Sequence, residues 1–134
     1  MIDHQAALIY AMVMASAADS DMTDSEMSRI GEIVSHLPVF RSFDLNRLPE
    51  IASDCAVLLS DEDGLENAFE AMRGALPDRL RETAYALACD VVAADGSAAQ
   101  EELRLLEIMR HALDIDRLNA AAIERGAAAR YAVA

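Results

Sequence analysis

Apolar residues recur along most of this chain at intervals of three and four, the spacing of one face of an α-helix. Residues 2–18 are a nearly continuous apolar run, in which Leu8, Met12 and Ala15 follow a stripe that ends at Asp19. This predicts a core helix. Thr23-Asp24-Ser25-Glu26 has the form of a capping box, in which the hydroxyl takes an orphan amide and the Glu reaches back. The helix it opens carries Met27, Ile30, Ile33, Val34 and Leu37 on one face, and Pro38 ends it.

The same period continues to the C-terminus. Asp44 is placed to cap a helix through Leu45, Leu48, Ile51, Ala52 and Cys55, with Pro49 in its first turn or forcing a short break. Residues 60–63 open another, with Leu65, Phe69 and Met72 expected inward. Pro77 reads as a first-turn proline, before a helix through Leu80, Ala84, Leu87 and Val91 to about Ala94. Ser97 to Gln100 reads as a second capping box, for a helix turning Leu103, Leu106 and Met109 to the core. Asp116 caps a last helix near Leu118, Ala122 and Ile123, and from Gly126 the Ala-rich tail is expected to fray. The expectation is an all-α domain: a compact bundle of about seven helices with no strand, joined by short loops that favour antiparallel neighbours.

Composition sharpens this reading. A length of 134 residues suits one domain, and 54% hydrophobic residues supply a core without disulfides or a structural metal. The 24 acidic residues outnumber 11 bases, all Arg, for a net charge of −13. Nucleic acid and anionic membranes repel such a surface, whereas metal cations and basic protein partners are favoured. Cys55 and Cys89 sit in apolar runs without zinc-type spacing, so they are expected buried and reduced. The start Met1-Ile2-Asp3-His4 lacks a basic leader region, and no apolar stretch reaches the ~18 residues of a membrane span. A cytoplasmic protein is expected, not transmembrane.

An internal repeat carries the chemistry. With an offset of 76 residues, Ala17-Ala18-Asp19 matches Ala93-Ala94-Asp95, and Glu26 matches Glu102. Met27, Ile30, Ile33 and Leu37 match Leu103, Leu106, Met109 and Leu113. The copies span about 5–38 and 81–114. Each is an Ala-rich helix ending in Asp, a polar loop, and an amphipathic helix with Glu in its first turn, so a helical hairpin can bring the two acids together. Packing the hairpins side by side would gather acids of both copies into the most acidic concave surface of the domain. Two readings stand. The acids serve only as caps and turn anchors, or they supply oxygen ligands to a hard divalent cation. An EF-hand is excluded, because Asp24 and Ile30 occupy the positions that loop reserves for Gly and Glu. Asp90, in an apolar helix, needs a partner: an Arg from a neighbouring helix, or membership of the Asp95 cluster.

The segments 12–26 and 87–102, each a helix ending in Ala-Ala-Asp followed by polar residues and Glu, resemble the TerB family of tellurite-resistance proteins over nearly the whole chain. The resemblance implies a bacterial, cytoplasmic, all-α domain tied to tellurite resistance and stress responses. It also implies acidic residues proposed to bind metal: by position Asp19, Glu26, Asp95 and Glu102, with Asp21 and Asp90 as weaker members. Ser20 replaces the usual Gly in the first copy, and Ser97 stands where an acid is expected in the second, which argues against two identical sites.

A binding or scaffold module with an unidentified protein partner, with a divalent cation as the candidate cofactor, is therefore the leading reading. The alternatives are an enzyme acting on tellurite or another metal oxyanion, and a plain helical adaptor with an acidic face. Catalysis finds little support. The cysteines lack basic neighbours that would lower a thiol pKa, no glycine-rich dinucleotide loop is present, and His4, His36 and His111 are scattered and expected at the surface. The sequence does not fix the oligomeric state.

Overall fold

The computed structural model describes residues 2–17, 22–96 and 98–134. Among these residues it has seven α-helices and no strand: α1 (His4–Ser16), α2 (Asp24–His36), α3 (Leu48–Leu59), α4 (Gly64–Ala75), α5 (Asp78–Ala94), α6 (Gln100–Ala112) and α7 (Arg117–Arg130). Two short 3-10 turns, Pro38–Phe40 and Leu45–Arg47, link α2 to α3.

Helix α1 is the axis of the bundle. Every residue from Ala6 to Ser16 is buried, on all sides. A helix with no polar face must be surrounded, and α1 packs against α2, α3, α4, α5 and α6, most extensively against α5. This corrects the single-stripe expectation: α1 is apolar on every side, and Ala6, Ala7, Ala11 and Ala15 let neighbours approach closely. Asp3 opens the helix, its carboxylate accepting from Ala6 N–H at 2.8 Å.

The repeat survives in the backbone. Helices α2 and α6 each have 13 residues and begin and end 76 positions apart. The helices that precede them in the repeat, α1 and α5, form the most extensive helix pair of the bundle. Pairing them buries Ala84, Leu87, Ala88 and Val91 of α5 with the α1 core.

Several local expectations shift. Asp44 caps the 3-10 turn 45–47 rather than α3, its carboxylate accepting from Asn46 N–H, and Pro49 then sits in the first turn of α3. Pro77 is one residue earlier than expected, at the N-cap of α5. Leu65 is partly exposed and Leu103 is 50% exposed, although Phe69, Met72, Leu106 and Met109 are buried as their spacing predicts. Helix α7 runs past Gly126 to Arg130 instead of fraying. It docks on α5, where Ala120 and Ala127 are buried, while Leu118 remains 77% exposed and Ala122 also faces solvent. All three histidines are at the surface.

Candidate functional site

The two amphipathic helices of the repeat start in the same way. In α2, Glu26 N–H donates to Thr23 Oγ1 at 3.2 Å and Thr23 N–H donates to Glu26 Oε1 at 2.8 Å, a complete capping box. In α6, Ala99 N–H donates to Glu102 Oε1, also at 2.8 Å. The N-cap of α6 is therefore Ala99, the residue 76 positions after Thr23. It has no side-chain oxygen, so only the returning half of the box exists. Ser97 lies outside the described residues, and Gln100 is the first helical residue rather than the closing member of a box. In both copies the Glu side chain is fixed by its own helix N-terminus, where unpaired amides and the helix dipole favour negative charge.

The copies differ in burial. Glu26 is half-buried, whereas Glu102 is only 7% exposed. The end of α1 runs into the start of α6: Met14 and Ala17 share a pocket of about 480 Å³ with Gln100, Glu101, Arg104, Leu105 and Ile108. Ala17, the C-cap of α1 in the first hairpin, thus lies beside the first turn of α6 in the second. Ser16, the last residue of α1, is 5% exposed, and among the described residues its Oγ has no hydrogen-bond partner. Ser16 falls opposite Val92 in the repeat. A polar residue where the other copy has an apolar one is the sequence signal that would have singled it out.

Asp95 closes α5 and is exposed. Its N–H donates to Val92 O, and Gly96 N–H donates to Ala93 O with Gly96 at φ +85°. Only a residue without a Cβ takes that left-handed conformation at low cost, which explains the Gly after Ala-Ala-Asp in the second copy. Asp19 and Asp21, with Ser20, lie outside the described residues. Among the described residues no three His, Cys, Asp or Glu side chains come together as metal ligands would. Asp90 is not joined to Asp95: its carboxylate is paired with Arg130 of α7, the ion-pair arrangement.

A profile of the family described as tellurite resistance protein TerB matches residues 5–125. The chain belongs to the TerB family. The match takes in both hairpins, the central segment without a copy, and most of α7. No curated protein and no solved structure matches the chain. Membership places the chain in a tellurite-resistance-associated family. Among the described residues no helix of this TerB-family chain is long and apolar enough to cross a membrane.

Both thiols are free and buried. Burial pushes the Cys55 thiol up to about 12. Cys89 is likewise raised to about 12, by burial first and by the Glu124 carboxylate second. A thiol held neutral at physiological pH is a poor nucleophile and a poor reductant.

Proposed function

We propose that this TerB-family chain is a non-enzymatic binding module of a bacterial tellurite-resistance and stress response, working in the cytoplasm with a protein partner. Its ligand site is the junction of the two hairpins, where Asp19, Glu26, Asp95 and Glu102, with Asp21 at the margin, take up a divalent cation. The observation that carries this reading is the meeting of the end of α1 with the first turn of α6. It brings Ala17, two residues before Asp19 in the sequence, to the helix turn that carries the buried Glu102.

The donor types suit a hard cation, which takes carboxylate and hydroxyl oxygens. Ser16 Oγ, buried at the end of α1 with no hydrogen-bond partner among the described residues, is a further oxygen donor there. The acids among the described residues do not suffice alone, so the site requires Asp19 or Asp21. Asp90 is left out of the set because Arg130 already neutralises it. The raised pKa values of Cys55 and Cys89 weigh against thiol-based reduction of tellurite and favour a binding role.

Calorimetric titration of metal-free protein with calcium, magnesium, manganese and zinc tests the site. Saturable binding of one of these ions, weakened at least tenfold by Glu102→Gln, is expected. Flat traces for all four remove the cation and leave a helical adaptor whose acidic face meets a basic partner.

A further inference from the structure

Helix α7 is attached with no large apolar side chain fully buried. It buries only two alanines, Ala120 and Ala127, with Ile123 partly covered. Its one extensive neighbour is α5. Between α5, α6 and α7 lies an open groove of about 900 Å³, floored by Tyr85, Cys89, Val92 and Leu106 and walled on the α7 side by Glu124 and Ala127. The helix therefore bridges a groove rather than closing a packed core.

Polar clips make up for the missing apolar contact, and they are spread along the whole length of α7. Asn119 donates to Glu82 Oε2 at 2.9 Å near its start. Tyr85 Oη donates to Glu124 Oε2 at 2.5 Å at its middle. Arg130 pairs with Asp90 at its end. All three partners on α5 lie in the stretch 82–90. Apolar burial is what gives most helices their tertiary stability, and a segment with few buried apolar contacts opens at lower free energy than the core. Glu124 and Arg130 are exposed, so water can replace their protein partners once the clips part.

We infer that α7 is a strap, held on α5 by the Glu82–Asn119, Tyr85–Glu124 and Asp90–Arg130 clips, that swings off as a unit while α1 to α6 stay folded and so uncovers the apolar floor of the groove. What it uncovers is the stripe Tyr85, Cys89 and Val92 on α5 together with Leu106 on α6. The half-exposed Leu103 marks the edge of the same surface. This conclusion is independent of the cation site, which lies at the junction of α1 and α6.

The two cysteines report on the strap and on the core separately. Cys89 lies on the groove floor, within the electrostatic reach of Glu124 and Arg130. Cys55 is fully buried on α3, beside Tyr10 of α1 and away from α7. The full chain is treated with an alkylating reagent at a series of sub-denaturing urea concentrations, and each cysteine is followed by peptide mass spectrometry. Labelling of Cys55 is expected to need global unfolding and to accelerate steeply with urea. Labelling of Cys89 is expected to be faster and nearly flat in urea, because strap release exposes little surface.

Tyr85→Phe removes one clip and keeps the ring. Asp90→Asn weakens another. Each should speed Cys89 labelling by about tenfold, the loss of a hydrogen bond to a charged group, and leave the urea slope of Cys55 unchanged. Equal rates and equal urea slopes at the two thiols overturn the strap. So does a Cys89 rate that neither Tyr85→Phe nor Asp90→Asn alters, since Cys89 would then be reached without release of α7.

Discussion

The residues that decide this fold do so through backbone groups as much as through apolar area. Thr23 and Glu26 satisfy two orphan amides of α2, whereas at α6 the equivalent pair is Ala99 and Glu102, and only the Glu contributes. Ala99 already has the extended backbone of an N-cap, at φ −72° and ψ 160°. Two substitutions with opposite signs follow. Thr23→Ala should cost about 1 kcal/mol, and Ala99→Thr should gain about 0.5–1 kcal/mol by completing the second box. Thermal melts of the two single variants should move apart by several degrees, and a destabilised Ala99→Thr would show that the groups near Glu102 leave no room for a hydroxyl. The sequence made Glu102 legible as a first-turn acid but placed the cap at Ser97. The error is instructive: Ser is the better cap by type, yet the register of the repeat, which sets Ala99 opposite Thr23, is what the backbone follows. Ser16 was hidden for another reason. A single small polar residue inside an apolar run looks like tolerated filler until the fold shows its hydroxyl buried with no partner among the described residues.

At the scale of elements, periodicity proved a good guide wherever a helix has one buried side and a poor one where it has none or all. Helix α2 buries Ile30 and Val34 from the face its pattern predicts. Helix α1 is buried all round, so its pattern carries no direction, and only the tertiary contacts reveal it as the axis. Helix α7 fails the opposite way: its alanines give no stripe, and the clips that hold it are long-range pairs that no local pattern encodes. Helix α4 shows how finely an element depends on its ends. A Cβ on Gly64, at its start, would stand 2.5 Å from Leu58 O and 2.7 Å from Leu59 C and O, all backbone atoms that cannot rotate away. A Cβ on Gly74, near its end, meets nothing within 4 Å. Gly64→Ala should therefore destabilise by about 1–3 kcal/mol through forced displacement of the α3–α4 turn. Gly74→Ala should stabilise by about 0.5–1 kcal/mol through the better helix propensity of Ala. Chemical denaturation of both variants measures the pair, and equal effects at the two positions would contradict the close approach at Gly64.

For the whole molecule the dominant quantity is charge. A net −13 on 134 residues makes the folded state repel itself, and the ion pairs Arg81–Asp78 and Arg130–Asp90 relieve little of it. Sodium chloride should raise the melting temperature by screening, with most of the gain complete once the Debye length falls to about 8 Å near 0.15 M. A divalent cation acts by that route and, if the hairpin junction holds it, by a second one. Binding to the folded state alone adds RT ln(1 + [L]/Kd), about 2.7 kcal/mol at a hundredfold excess over Kd. The comparison that separates the two is made at matched ionic strength. Wild-type protein should then melt higher in the divalent salt than in sodium chloride, with a saturating dependence. Asp19→Asn and Asp95→Asn each remove a carboxylate from the proposed site. They should melt higher than wild type without divalent ions, because less repulsion remains, and gain less when the ions are added. If the acids are only caps and turn anchors, both variants should melt slightly lower and respond to divalent ions as wild type does. A wild-type melting temperature that depends on ionic strength alone, whichever cation supplies it, removes the cation from the proposed function and leaves the acidic surface as a docking face for a basic partner.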